Sequence, residues 1–328
     1  MITTSEQSLD QNLSRFGRKW KISVQTPEGE KILSDNEQED ENVALRCTFE
    51  IDRPAFQIPA YSDISIYNIS EEMQNLIFEK GSRVYVHAGY KNGPYGSIYS
   101  GKILQSILSR ENVVDYKFTM HCVDGFDILL KNQVKKGLSK GKTQEDIVRE
   151  VASSSEVRMP IQYITKDLKV KTLPRFKMLW GDPTDILRDV AIENDCHWYV
   201  TDDTLAFGFL QELEDRANAI VYSPETGLIG SPQQTQEGVN FRILLDPRIH
   251  IKKPGMQIKL DNSLIRVQKK YVNQPPILSL DQDFYCMVGA FRHIGDTRGN
   301  DWYTDIMGLN TTGRLMSAMV NNKTEMSY

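Results

Sequence analysis

Apolar and polar side chains alternate with a period of two along most of the first third of the chain. The alternation recurs in the stretches 20–24, 45–51, 64–66, 84–88, 98–108 and 116–122. A period of two predicts strands with one buried face. Ser70 can cap a single short helix, with Glu71 and Glu72 at its positive end and Lys80-Gly81 at its close. These elements predict a small antiparallel β-barrel or sandwich over residues 15–130.

The pattern changes after Asp124-Gly125. Residues 131–142 contain five lysines and two glycines, a composition typical of a linker. The stretch from Thr143 to Asp146 resembles a capping box with Asp in the usual place of Glu, and Asp182-Pro183 predicts a second helix start. Strand-like stretches at 161–164 and 175–179, and a hairpin over 198–209, complete a compact α+β domain. We place that domain at residues 131–217.

A period of two returns from residue 219, at Ile220 and Tyr222 and again from Phe241 to Leu245. The prediction is therefore a mainly β protein in which two similar small β-barrel domains, at 15–130 and 218–312, flank the α+β domain. Residues 1–14 are expected to form a flexible arm and residues 313–328 a polar tail. A weak internal repeat matches glycines of the two β domains, Gly81 with Gly255 and Gly101 with Gly289, which would hold equivalent bends in superposable barrels.

The composition of the chain excludes some functions but does not by itself indicate one. The chain has 328 residues, 40% apolar and 25% charged, with 39 basic against 44 acidic side chains. A net charge of -5 argues against sequence-independent DNA binding over the whole surface. Residues 1–11 lack the apolar core of a signal peptide, and no apolar run is long enough to span a bilayer. We expect a protein made and kept in a cytosolic compartment until something else moves it.

No residue set has the spacing of a catalytic or metal site. The four cysteines are far apart, and in Cys196-His197 and His121-Cys122 neighbouring side chains point to opposite faces of a strand. Gly96 to Lys102 only approximates a phosphate-binding loop, because Ile103 follows where Ser or Thr is needed. We therefore expect no enzyme, no catalytic residues, no cofactor and no metal.

Three segments carry a resemblance to a known family. They are 81–125 with Cys122-Val123-Asp124-Gly125, the turn-rich polar loop 226–239 with Gly-Leu-Ile-Gly-Ser-Pro, and 295–304 with Gly-Asp-Thr-Arg-Gly-Asn-Asp-Trp. In this order they resemble the baseplate hub proteins of contractile-tailed bacteriophages. The tail-protein D and type VI secretion spike families share that architecture, so a phage tail and a phage-derived injection system both stay open.

The resemblance implies a structural hub subunit of a virion's tail baseplate, assembled in the host cytoplasm. Such a hub is a homotrimer whose two barrels per chain present a six-fold-like ring to the hexameric tail tube, and it seats the central spike. Other baseplate and tape-measure proteins would also be partners, the chain itself would not enter a membrane, and DNA would pass through the lumen without specific binding.

The residues singled out are structural ones. Glycines are expected at turns and bends, namely Gly81, Gly101, Gly255, Gly289, Gly227 and Gly230. The lysines of the predicted linker are open to two interpretations: a solvated linker, or an interface with DNA or an acidic partner at Lys131, Lys135 and Lys136. Two other functions remain as alternatives, a tail-associated cell-wall hydrolase or glycan-binding tail module, and a general carbohydrate-binding or adhesin module.

Overall fold

The computed structural model describes residues 15–36, 43–54, 60–80, 83–125, 133–154, 159–209, 212, 214–234, 238–251, 255–260, 267–268 and 285–310. Of the described residues, 55% lie in strands and 16% in helices, so this part of the chain is mainly β, as the alternation predicts. The predicted arm at 1–14 and tail at 313–328 lie outside the described residues.

Nineteen strands are described: β1 Arg18–Thr26, β2 Gly29–Asp35, β3 Cys47–Pro54, β4 Tyr61–Tyr67, β5 Arg83–Tyr90, β6 Tyr95–Arg110, β7 Tyr116–Val123, β8 Val134–Leu138, β9 Ile161–Ile164, β10 Lys177–Gly181, β11 His197–Thr201, β12 Thr204–Gly208, β13 Ile220–Tyr222, β14 Leu228–Gln234, β15 Gly238–Leu244, β16 Gln257–Leu260, β17 Val267–Gln268, β18 Tyr285–Asp296 and β19 Trp302–Asn310. The helices are α1 Glu71–Lys80, α2 Gln144–Ser153, α3 Lys166–Val170 and α4 Pro183–Glu193, with a 3-10 turn at Arg216–Asn218.

Fourteen strands form one sheet, in the order β17-β14-β15-β19-β18-β3-β4-β7-β6-β5-β1-β2, with β16 on β18 and β13 on β16. Among the described residues this path does not return to its start, so the predicted barrels are not closed ones. The two β segments join because β18 pairs with β3. A period of two reports only that a strand has one buried face, and it cannot distinguish a closed barrel from an open sheet.

The large sheet contains two runs of five strands with the same pairing order. The first unit is β3-β4-β7-β6-β5, and the second unit is β14-β15-β19-β18-β16. In both units every neighbouring pair of strands is antiparallel. The strands also follow the same order along the chain in each unit, so the repeat lies in the topology.

The bulges in the two long strands fix the register of this repeat. β6 skips Leu104 and then makes six pairs with β7 up to the hairpin turn, while β18 skips Gly289 and then makes six pairs with β19. Leu104 and Gly289 are therefore the matching positions. The predicted match of Gly101 with Gly289 is wrong by three residues, because Gly101 lies in a regular pair with Val84.

The middle segment forms two small sheets, β10-β8 and β11-β12-β9, packed with the helices. Its predicted helix starts are confirmed: Thr143 accepts from the backbone N–H of Asp146, the Asp146 carboxylate accepts from that of Thr143, and Asp182 caps α4. The linker prediction for 131–142 is wrong over Val134–Leu138, which pairs with β10. Val134 and Leu138 anchor this strand because both are buried, although three exposed residues separate them.

Three hydrophobic clusters form the core. One fills the first β segment around Trp20, one the middle segment, and one the last β segment around Tyr222. Trp302 of β19 lies in the first cluster, edge-to-face with Trp20 at 6.5 Å and with Phe49 at 5.5 Å between ring centroids. A ring from the last third of the chain therefore completes the core of the first third.

Candidate assembly surface

The joint between the two units is a strand pair formed by residues far apart in the chain. Seven antiparallel residue pairs connect β18 with β3, from Ala290–Pro54 to Asp296–Thr48. At its end, the backbone N–H of Cys47 donates to Thr297 Oγ1 at 2.9 Å, and the Thr297 N–H donates to the Cys47 carbonyl at 2.9 Å. This pairing holds the two units in one sheet.

The segment 295–304, singled out by the family resemblance, forms the turn at this joint. Arg46 donates to both oxygens of Asp296, at 3.2 and 2.7 Å. Arg18 donates to the carbonyls of Asp296 and Gly299, at 2.6 and 2.5 Å, and its guanidinium lies 5.3 Å from the Trp302 ring centroid. Burial alone would raise the pKa of Asp296, but the hydrogen bond from Arg46 holds that pKa below its ordinary value.

A row of alternating charges crosses the joint on the exposed face of the sheet. Arg242 of β15 donates to both oxygens of Asp305 in β19, at 2.6 and 2.9 Å. Arg292 of β18 donates to both oxygens of Asp52 in β3 and forms an ion pair with Glu50 at 2.7 Å. The carboxylate hydrogen bonds raise the pKa of both arginines. The positive charges on this face are therefore compensated by neighbouring carboxylates.

Four residues of this row, Asp52, Arg242, Arg292 and Asp305, line an open groove of about 920 Å³. Besides the row, the groove is bordered by Tyr61 of β4, Phe291 of β18 and the Gly230-Ser231 bend of β14. The partners Asp52 and Arg292 are 240 residues apart, so no local pattern in the sequence could reveal the row. Its shape is that of a broad concave surface.

A buried ionic network fastens the middle segment to the first unit. Arg53 of β3 forms ion pairs with Asp124, just after β7, and with Asp202 in the β11–β12 turn. Asp124 also accepts from the backbone N–H groups of Asp202 and Asp203, at 2.7 and 2.9 Å. Arg53 and Asp124 are at most 3% exposed. The Asp124-Gly125 element of the resemblance is thus a structural anchor.

A second buried carboxylate, Asp246, organises the end of β15. It accepts from the hydroxyl of Tyr222 at 2.8 Å, from Arg15 at 3.0 Å and from Arg248 at 2.8 Å. Burial opposes ionisation, but the hydrogen bonds from Arg248 and the two positive charges hold the pKa of Asp246 below its ordinary value. The network ties the residues before β1 to the second unit.

The predicted loop at 226–239 is a strand over Leu228–Gln234, which corrects that expectation. Leu228–Gln234 forms β14, and its pairing with β15 skips Gly230, Ser231 and Pro232. Gly230 has φ +69°, and Pro232 falls inside the irregularity, where a missing N–H costs no ladder bond. The turn-forming residues therefore build a bulge within a hairpin.

The other predicted glycines have different settings. Gly227 and Gly255 both have positive φ, at 107° and 87°. A Cβ on Gly227 would lie 2.1 Å from the guanidinium of Arg15. Gly101 and Gly289 lie inside strands, and Gly81 lies outside the described residues.

One strand edge of the first unit carries exposed apolar side chains. β6 pairs with β5 only up to Lys102, so on that side no described strand pairs with residues 103–110. The exposed apolar side chains of this hairpin, between 41% and 82% accessible, are Leu104, Ile107, Leu108, Val113, Val114 and Tyr116. Long apolar edges of this kind are typical pairing sites for another strand.

The lysines predicted as an interface have partners within the middle segment. Lys135 lies 4.9 Å from the Trp180 ring centroid, and Lys136 forms an ion pair with Glu150 at 2.8 Å. Lys131 lies outside the described residues. Beside them, Met178 and Trp180 of β10 and Phe176, which precedes this strand, are each more than half exposed. Strands β8 and β10 thus present a basic and aromatic surface.

The residues considered for chemistry are separated or buried. All four cysteines are buried, and burial raises the pKa of Cys47 and Cys196 to about 12. His121 contacts Asp63 at 2.6 Å on the exposed face. In the described ranges, no group of three or more His, Cys, Asp or Glu is arranged to hold a metal ion, and no helix has the length and apolarity to cross a membrane.

The comparisons with known proteins point to one family. The family described as baseplate hub gp41 matches residues 21–274. No curated protein matches the chain. Among solved structures, a tail protein from Neisseria meningitidis MC58 is similar with 11% identity and a TM-score of 0.53, over 90% of this chain and 97% of that chain. The 43 kDa tail protein of prophage MuSo2 from Shewanella oneidensis is 7% identical with a TM-score of 0.55, over 89% and 98%.

A component of the Escherichia coli type VI secretion system, c3393, matches at a TM-score of 0.47 and 9% identity, over 81% of this chain and 74% of that chain. The two tail proteins, with TM-scores above 0.5, show that this chain shares their fold. The family match covers most of the sequence, including the first unit and the middle segment entirely and the second unit in part. This chain belongs to the baseplate hub gp41 family.

Proposed function

We propose that this chain is a structural hub subunit that works as a trimeric symmetry adaptor between the hexameric tail tube and the central spike. The observation that carries the proposal is the repeat of one strand order in two units of a single sheet. Three chains would present six similar units, so a three-fold assembly could match a six-fold partner. Closed rings are the usual result of repeated heterologous contacts.

The exposed charged row supports the proposal that this face of the sheet lines the channel of the ring. Arg242 and Arg292 are each held by carboxylates, so a passing polyanion would meet a compensated surface. Tight DNA binding needs uncompensated Lys and Arg. DNA could therefore move through the lumen without specific binding.

The basic and aromatic surface of β8 and β10 is a proposed contact for other baseplate or tape-measure proteins. Lys135 and Trp180 lie together on it, and the exposed Phe176 and Met178 extend it along the strand. Exposed aromatic and apolar side chains next to cations suit a partner with apolar and acidic residues.

The proposed role is architectural and not catalytic. It is tested by purifying the chain with its tube and spike partners and measuring the mass of the complex by light scattering. Three copies of the 37.6 kDa chain are expected per hub. A stable dimer, or a chain that stays monomeric with these partners, would contradict the proposal. Peptidoglycan turnover that one carboxylate substitution abolishes would contradict the architectural assignment.

A further inference from the structure

The long strands β6 and β18 are equivalent, but only one of them is paired along both edges. Before its bulge, each pairs with the preceding strand of its unit, β5 or β16. After the bulge, residues 290–296 of β18 pair with β3. The matching residues of β6, 105–110, have no strand on that side within the described part of the chain.

The repeat also identifies the strand that corresponds to β3. β3 is the first strand of the first unit, and β14 is the first strand of the second. Cys47 pairs with Ile66 of β4, and Leu228 pairs with Ile243 of β15. Because Ile66 and Ile243 occupy matching positions, Cys47 corresponds to Leu228. The same register matches Glu50 with Gln233 and Ile51 with Gln234.

We propose that the free edge of β6 pairs antiparallel with β14 of a second copy of this chain, repeating between chains the β18–β3 joint within one chain. The inference rests on the proposed function, in which hub subunits form a ring, and it specifies the pair of strands that joins neighbouring subunits. Ile294 pairs with Glu50 in the existing joint, so Ser109 would lie opposite Gln233 of the second copy. Leu108 would lie opposite Gln234 of that copy, at the position that the buried His293 takes in β18.

Among the described residues, β6 and β14 of one chain do not pair with each other. Seven strand-to-strand steps separate them along the sheet, a path of about 34 Å at a spacing of about 4.8 Å. They lie at opposite ends of the eight strands β14-β15-β19-β18-β3-β4-β7-β6, so joining them end to end adds one copy at a time. Three copies joined in this way would supply six groups of four strands to one closed ring.

One small element of the isolated chain must move for this pairing. β17 covers the edge of β14 at Gln233 and Gln234, while Leu228 to Pro232 are free of it. β17 contributes only two residue pairs, whereas the existing joint has seven. The proposed strand pair therefore displaces β17 and covers Ile107 and Leu108, which are 41% and 43% exposed in the single chain.

A disulfide across the contact tests the register. Opposed residues in antiparallel strands have Cα atoms about 4.5–5.5 Å apart, within the range of about 4.4–6.8 Å that a disulfide spans. The full chain carrying Ser109→Cys and Gln233→Cys is assembled with its tube and spike proteins, oxidised and separated on a non-reducing gel. Both positions are exposed and the four native cysteines are buried, so folding and background cross-linking should be little affected.

The matched control is Glu50→Cys with Ile294→Cys, which should close within one chain and leave its mass unchanged. The proposal predicts covalent dimers and trimers from the Ser109 and Gln233 double variant. A mixture of the two single variants should give dimers only. If the complex contains three copies but no interchain bond forms, this contact is wrong and the proposed function stands. If the chain never associates, both are wrong.

Discussion

Arg53 in β3 and Asp124 after β7 form an ion pair in which neither side chain is more than 3% exposed. The carboxylate of Asp124 simultaneously holds the backbone of the β11–β12 turn. Two elements of the first unit and the tip of the middle segment therefore meet at one pair of charges. The guanidinium also lies 4.9 Å from the Tyr99 ring centroid.

Asp124→Asn should destabilise the protein by about 1.5–3 kcal/mol, because it removes the more buried of the two carboxylates that pair with Arg53. Urea unfolding followed by fluorescence measures this loss. Asp305→Asn is the matched control, since its pair with Arg242 is about 40% exposed on both sides, and it should cost about 0–1 kcal/mol. Equal losses for the two variants would contradict the anchoring role of Asp124.

The buried His293 should make the folded protein less stable in mild acid. Burial, with the nearby charge of Arg53, lowers the pKa of His293 to about 3, and its Nδ1 contacts Thr304 Oγ1 at 2.8 Å. Between the unfolded pKa near 6.5 and the folded value, only the unfolded chain takes up the proton. The free energy of unfolding should therefore fall by about 1.4 kcal/mol per pH unit in that window.

Two measurements check this window. The NMR signal of the His293 imidazole should not titrate between pH 7 and 5, and His293→Gln should flatten the decline of stability between pH 6 and 4. A His293 signal that titrates near pH 6.5 in the folded protein would show that the side chain is not held neutral by burial.

The start of α2 depends on the reciprocal cap between Thr143 and Asp146. Thr143→Ala should lower the free energy of unfolding by about 1 kcal/mol, since the N–H of Asp146 loses its acceptor. Ser153→Ala, at the exposed end of the same helix, removes a hydroxyl without removing a cap and should change stability by less than about 0.5 kcal/mol. A cost for Ser153→Ala as large as that for Thr143→Ala would argue against the cap.

Gly230 lets β14 bend around its irregularity. Gly230→Ala should cost about 1–2 kcal/mol, because φ +69° is unfavourable for a residue with a Cβ even though no atom lies within 4 Å of the added carbon. Gly96→Ala is the control, with its nearest neighbour at 3.6 Å and no positive φ, and it should be nearly neutral. A neutral Gly230→Ala in thermal unfolding would mean that the bend relaxes freely.

Much of the local structure could be predicted from the sequence, because strand alternation and helix caps depend on neighbouring residues. The alternation from Trp20 to Val24 and the caps at Thr143 and Asp182 are such cases. The joint between β18 and β3 could not be predicted in this way, since its partners are about 240 residues apart. Strands of an open sheet and of a closed barrel show the same alternation of apolar and polar residues, so the alternation could not predict which of the two forms.

The repeat shows where residue identity misleads. Matching Gly101 with Gly289 assumed that equivalent bends need the same residue type. The shared feature is a backbone bulge, and Leu104 occupies it in the first unit while Gly289 occupies it in the second. In the second unit a Cβ at Gly289 would lie 2.6 Å from Leu309, so packing at that site, not the bulge itself, excludes a side chain.

The most direct test of the hub assignment is a cryo-EM reconstruction of the assembled tail tip. The account predicts three copies of this chain in a ring, with the six units from both halves of the chains about 60° apart around the axis. The ring should contact a hexameric tube on one face and a spike on the other. A map with six copies, or with the two units of each chain at unrelated radii, would contradict it.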